Sequence, residues 1–203
     1  MAPHSMPQPP ASLSGSNLKI GIVHTRWNSE VVDALVQGTR NRLLSLGVKP
    51  ENVIIQQIAG SWELPIATKK MILAGRVQQG HSQNLLSGLD PLSSPEAPGA
   101  STDTASATKV GEFDAVVSIG VLVKGSTQHF EYIAGAATDG LMRVSLDENT
   151  PVVFGVLTCN NEEQARSRAG LVPGGLENHG PSWADSAVEL AGLSAKWSKG
   201  VFE

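Results

Sequence analysis

Phe113-Asp114-Ala115-Val116-Val117-Ser118-Ile119-Gly120-Val121-Leu122-Val123-Lys124-Gly125-Ser126-Thr127-Gln128-His129 sets the architecture of this chain. The apolar run Phe113 to Ile119 predicts a buried strand, and a helical pattern follows from about Thr127 to Leu146. A glycine-bounded turn joins them, so Ser126, Thr127 and His129 fall where a strand ends and a helix begins. In an open parallel sheet that edge is where ligands bind. Free amides at a helix N-terminus favour an anion, and a histidine in the first helical turn can move protons near neutral pH. The combination points to chemistry on a small anionic substrate.

The same alternation extends to both sides. Leu18 to Val23 predicts a strand, and Asn28 a cap for a helix reaching about Leu46, with Val31, Val32, Leu35, Leu43 and Leu46 near helical spacing. Gly47 ends that helix and Pro50 reinforces the stop. Val53 to Ile58 predicts another strand. Gly60-Ser61-Trp62-Glu63-Leu64-Pro65 then turns the chain into a helix to about Val77, since Pro65 suits an early helical position. Pro151 to Thr158 predicts a further strand, Asn160 or Asn161 caps a helix to about Gly170, and Trp183 to Trp197 predicts a terminal helix. Short apolar strands alternating with helices predict an α/β fold with a four-stranded parallel sheet covered on both faces. Residues 1–17, rich in Pro, Ser and Ala, read as a flexible tail, and residues 18–200 as one domain. Within it, residues 80–111 carry no sustained period and read as a surface insertion.

Composition narrows the class. The chain has 203 residues, 40% hydrophobic and 17% charged, enough for one soluble domain with a sizeable core. Its net charge of −4 offers no basic face for nucleic acid, and no apolar run is long enough to cross a bilayer. No secretory signal is expected, because the N-terminus lacks a basic start followed by an apolar block. The single cysteine, Cys159, excludes an intrachain disulfide and a cysteine-rich zinc site, and a reducing cytoplasmic setting is expected. A narrow sheet with few aromatics gains from subunit contacts, so an oligomer is expected.

The strand ends should gather four loops at one edge: His24 to Asn28, Ala59 to Glu63, Gly120 to His129, and Thr158 to Asn161. Trp27 and Trp62 either cover the sheet edge or offer a stacking plate for a flat heteroaromatic substrate. Glu63 either complements a helix dipole or accepts hydrogen bonds from substrate hydroxyl and amino groups. His129 either faces water or transfers protons. Ser126 and Thr127 suit capping and anion binding alike, Arg168 reads as a helix C-terminal cation, and Cys159 as a buried structural thiol.

In this order the residues resemble the 6,7-dimethyl-8-ribityllumazine synthase family. The resemblance rests on Ile20-Gly21-Ile22-Val23 with Trp27-Asn28, then Gly60 to Pro65, then Gly120 to Phe130. It continues through Pro151 to Thr158, Glu163-Gln164-Ala165, Arg168-Ala169-Gly170 and Asn178-His179-Gly180. It covers about residues 18 to 197 apart from the insertion. It implies a flavodoxin-like three-layer sandwich. It also implies a transferase of riboflavin biosynthesis that joins 5-amino-6-(D-ribitylamino)uracil to 3,4-dihydroxy-2-butanone 4-phosphate, with loss of phosphate and water. The family needs no metal and no organic cofactor, and it forms pentamers or shells of pentamers with active sites between subunits.

By position, the resemblance implies that Trp27 lies against the pyrimidine and that Ser61, Trp62 and Glu63 hold the pyrimidine and its ribityl chain. Val121, Leu122 and Val123 meet the pyrimidine edge through their backbone. Ser126 and Thr127 form the phosphate-holding turn, with Arg168 as the phosphate-binding arginine. His129 is the proton-transfer residue, and Phe154 is a contact supplied by the adjacent subunit. His179 departs from the pattern, standing where many members carry a lysine. The loop Leu171 to Glu177 is longer than in shell-forming members, which favours an isolated pentamer. Three other readings compete: a thiol enzyme pairing Cys159 with His129, a non-catalytic flavin- or pterin-binding module that stacks its ligand on Trp27, and a structural assembly protein, against which the concentrated polar loop chemistry argues.

Overall fold

Ile20–Thr25 (β1) and Ala115–Val123 (β3) form the middle of the sheet. β1 is buried along its whole length and β3 over its first seven residues, as parallel strands covered on both faces must be. Val53–Ile58 (β2) and Val152–Cys159 (β4) flank them with mixed burial, as suits edge strands. The order is β2-β1-β3-β4 and every pairing is parallel. Ser29–Ser45 (α1), Leu64–Ser87 (α2), His129–Asp147 (α3), Glu162–Arg168 (α4) and Gly180–Trp197 (α5) complete the chain. The expected α/β architecture is present: a flavodoxin-like sandwich on a four-stranded parallel sheet. The computed structural model describes residues 10, 12–87 and 111–202.

Side chains alternate across the sheet and build two cores. Ile20, Ile22, Val117 and Ile119 pack with Leu35 of α1 and with Ala184 and Val188 of α5. Val23, Val116 and Val156 pack with Leu64, Met71 and Ile72 of α2 and with Leu141 and Val144 of α3. Gly180 lets α5 sit hard against α1, since a Cβ there would lie 2.7 Å from the Thr39 backbone nitrogen. Asn178 ties the same corner together. Its Nδ2 donates to Ala34 O (2.9 Å) and Ala169 O (3.0 Å), and its Oδ1 accepts from the Gly180 N–H (2.7 Å).

The amino rim of the sheet is closed by charged groups. Lys19 is 2% exposed; its Nζ donates to Gln78 Oε1 (3.1 Å) and Gly111 O (3.0 Å) and lies over the Phe113 ring. The Lys19 N–H donates to Asp114 Oδ2 (2.6 Å). Glu148, after α3, pairs with Lys69 (3.0 Å) and Arg76 (2.6 Å) of α2. Those cations hold its carboxyl below the ordinary carboxylate value, Lys69 most strongly.

Several boundaries differ from the sequence reading. β3 runs to Val123, so Gly120 lies inside a strand rather than in a turn. A Cβ at Gly120 would lie 2.8 Å from Ser61 Oγ, so glycine there lets the second loop close onto the strand. Helix α2 continues past Val77 to Ser87, into the expected insertion; helix propagation outlasts the apolar pattern. Residues 88–110 of that expected insertion lie outside the described residues. At the N-terminus, the Gly15 N–H donates to Leu46 O (2.8 Å) and Leu13 packs on the core, so the last part of the expected tail is held to the body. Residues 1–9 and 11 lie outside the described residues. Among the described residues no helix is long and apolar enough to cross a membrane.

Candidate active site

Strand order places a crevice at the carboxyl rim. The chain goes from β1 out to β2 on one side and returns to β3 on the other, so the loops after β1 and β3 diverge. That is the position where open α/β sheets bind ligands. The β1–β3 ladder ends at His24 and Ile119, while β3 stays paired with β4 out to Val123 and Cys159. Over Val121 to Val123, β3 therefore has no strand beside it on the β1 side.

Trp27, Asn28, Gly60, Ser61, Trp62, Glu63, Val121, Leu122, Val123, His129, Tyr132 and Ile133 line an open cleft of 830 Å³ at this crevice. Its size lies in the range of about 300–1,000 Å³ usual for small-molecule sites. Trp27 is 72% exposed and Trp62 59% exposed, so both rings are presented to the cleft rather than used as core. Ser61-Trp62-Glu63 forms a single 3₁₀ turn before α2. Gly60 brings this turn close to Trp27: a Cβ there would lie 3.3 Å from Glu63 Oε2 and 3.4 Å from Trp27 Cδ1. A carboxylate and an indole thus both approach the space over one backbone position.

His129 is the first residue of α3, and Tyr132 and Ile133 follow one helical turn later on the same face. The Tyr132 hydroxyl donates to Gln128 Oε1 (3.1 Å). The preceding loop is tied at two points: the Lys124 N–H donates to Cys159 O (2.8 Å), and Lys124 Nζ pairs with Glu131 (2.8 Å). Lys124 draws the Glu131 carboxyl below its ordinary value.

Ser126 and Thr127 are exposed and stand just outside this cleft; Thr127 Oγ1 accepts from the His129 N–H at 3.5 Å. The cap of α3 is Gln128, whose side chain makes no bond to the first helical amides. Phe154 also stands outside, 40% exposed on edge strand β4 and five residues short of Cys159 at the rim, roughly 16 Å along the strand. Arg168 ends α4, and its Nη1 donates to Gln164 O (3.1 Å). The His179 N–H donates to Arg168 O (3.0 Å). Burial, and secondarily the Arg168 charge, push the His179 imidazole below its ordinary value. Neither Arg168 nor His179 lines the cleft that holds His129.

A second cleft of 590 Å³ lies on the other flank of Trp27, lined by Arg26, Asn28, Glu30, Glu162 and Arg166 among others. Arg166 pairs with Glu30 across it. Cys159 lines neither cleft. It is 2% exposed within the α1–α5 core, and burial pushes its thiol up, which removes the basis for a thiol enzyme.

Comparison with known proteins gives the family. The sequence pattern described as 6,7-dimethyl-8-ribityllumazine synthase matches residues 17–82 and 93–195. The chain belongs to the 6,7-dimethyl-8-ribityllumazine synthase family. A relative of that name from Pyricularia oryzae is 44% identical over 200 residues, covering 98% of this chain and 100% of the relative. The lumazine synthase of Schizosaccharomyces pombe is 41% identical, covering 92% of this chain and 93% of its own length. That of Mycobacterium avium is 34% identical, covering 92% and 90%. Trp27, Ser61 to Glu63, Val121 to His129, Phe154 and Arg168 all fall within the stretches matched to the lumazine synthase pattern. The unmatched residues 83–92 are fewer than the expected insertion.

Proposed function

We propose that the cleft between the β1 and β3 loops condenses 5-amino-6-(D-ribitylamino)uracil with 3,4-dihydroxy-2-butanone 4-phosphate to give 6,7-dimethyl-8-ribityllumazine, releasing phosphate and water. The observation that carries this reading is the meeting of Trp27, Glu63, the open backbone of β3 and His129 around one cleft, although they lie in three distant parts of the chain. Trp27 stacks on the pyrimidine, and Glu63 accepts hydrogen bonds from the ribityl hydroxyls. Val121 to Val123 present backbone groups to the ring edge. His129 moves protons as the amine adds to the carbonyl, loses water and becomes an imine. Holding the two reactants together accounts for much of the rate, since well-oriented pairs gain about 7–11 kcal/mol.

Arg168 takes the phosphate through its planar fork. It stands outside the cleft of its own chain, so a second copy supplies it, together with Phe154. Exposed Ile66 of α2 and exposed Met142 and Leu146 of α3 offer such an assembly apolar side chains to cover. The family resemblance supports five copies, and the single cysteine a reducing, cytoplasmic setting. Ser126 and Thr127 line the turn that receives the phosphate.

Mixing the purified protein with both substrates and following lumazine absorbance tests the reaction; no turnover would defeat it, and turnover rejects a purely flavin- or pterin-binding role. Co-refolding His129→Ala chains with Arg168→Ala chains tests the shared site. Random mixing restores about one quarter of the sites if each is built from two neighbours. Mixtures no more active than either variant alone would place both residues in one subunit's site.

A further inference from the structure

Asn28 stands at the hinge of the crevice in a conformation that a helix cap does not require. Its φ of 57° and ψ of 45° put it in the left-handed region, which among the described non-glycine residues only Asn149 shares. Asparagine is one of the few side-chain-bearing residues that tolerates this conformation. A capping asparagine ordinarily turns its side chain onto the first helical amides, but Asn28 makes no such bond. Its backbone oxygen alone receives the Val31 and Val32 N–H groups, each at 3.0 Å. The side chain crosses the crevice instead, and Nδ2 donates to Val121 O at 3.1 Å.

That carbonyl lies on the part of β3 that has lost its β1 neighbour, since the ladder stops at His24 and Ile119. In a strand, residues two apart present their backbone groups to the same side. The Asn28 amide therefore takes the place of the missing strand at Val121 and leaves Val123 as the next backbone position facing the crevice. The residue before Asn28 is the exposed Trp27, and both residues line the clefts on its two flanks. One residue thus sets two things: the turn that carries the indole, and the position of the backbone edge it must face.

We infer that Asn28 is a positioning residue for the pyrimidine substrate, fixing the spacing between the Trp27 plate and the β3 backbone edge. This rests on reading the cleft as the pyrimidine site. The test uses Asn28→Asp and Asn28→Gly. Aspartate keeps tolerance of the left-handed backbone but turns an acceptor toward the Val121 carbonyl, whereas glycine keeps the backbone and removes the bridge. Steady-state kinetics with both substrates, and calorimetric titration with 5-amino-6-(D-ribitylamino)uracil alone, give the readout. Loss of one such hydrogen bond corresponds to about 3- to 10-fold weaker uracil binding in the glycine variant, with a larger loss in the aspartate variant. The KM for the phosphate substrate should move less than the KM for the uracil. Uracil affinity unchanged in both variants of a protein that turns over would overturn the proposal. So would equal weakening toward both substrates that tracks a fall in thermal midpoint, since a merely structural role gives that pattern. A wild-type protein that binds no uracil would overturn the reading of the cleft and this proposal with it.

Discussion

At the amino rim of the sheet Lys19 is 2% exposed and Glu148 9% exposed, each surrounded by partners; at the carboxyl rim Trp27 is 72% exposed and Tyr132 68% exposed. The two rims invert the usual placement of residue types. Charges go inside where two strand starts, a helix end and a loop must be fastened together. Large rings stay outside at the rim where the proposed reading has a flat substrate received. Buried polar groups with full partners hold one arrangement of the chain, and exposed rings cost the free protein the burial they forgo. On the proposed reading, stability and substrate capture lie at opposite ends of the same four strands. A substitution should disturb one and spare the other.

The largest effect is expected at the carboxyl rim. His129→Ala should lower kcat by about 10²–10⁴-fold, while its urea unfolding free energy stays within about 0.5 kcal/mol of wild type, as for other surface changes. A large loss of stability instead would blur the division between the rims. At the amino rim the pattern reverses. Lys19→Met removes the donor from Gln78 and Gly111 and should cost about 2–4 kcal/mol in urea unfolding, with kcat of the folded fraction unchanged. A fall in kcat without a fall in stability would tie that rim to the chemistry.

A smaller effect separates the rims by pH. The folded-state pKa of Glu148 is depressed below 4.5, so its pairing stabilises the protein above that pH and is lost as pH falls through the folded value. Thermal midpoints measured from pH 6 to pH 3 should fall less steeply for Glu148→Gln than for wild type; parallel curves would remove the carboxylate from the account. Smallest of all, iodoacetamide at pH 8 should label Cys159 slowly and leave turnover intact, since burial raises its thiol pKa. Rapid labelling with loss of activity would move Cys159 into the site.

The alternation of strands and helices was legible because apolar period is a local property, and it located all four strands to within a few residues. What the period does not carry is proximity. Gly120 reads as a turn by composition, yet it sits mid-strand because Ser61 needs the space above it. Asn28 reads as a side-chain cap, yet its amide is used 93 positions away on Val121. Tyr132 and Ile133 line the cleft at helical spacing from His129, a signal that polar motif residues do not carry. Helix α2 outran its apolar pattern, because Gln78 and Gln79 propagate a helix without marking a buried face. Arg168 and Phe154 carry the resemblance, but one chain alone does not bring them to His129.

Lys19 grips Gln78 of α2 and Gly111, so a single ammonium group ties the helix that leads toward residues 88–110 to the residue that follows them. Changes of length between moored roots add little closure entropy and pass no tension to the strands. The stretch is therefore a natural port for grafting. A reporter domain or an affinity handle spliced between residues 88 and 110 should leave turnover unchanged.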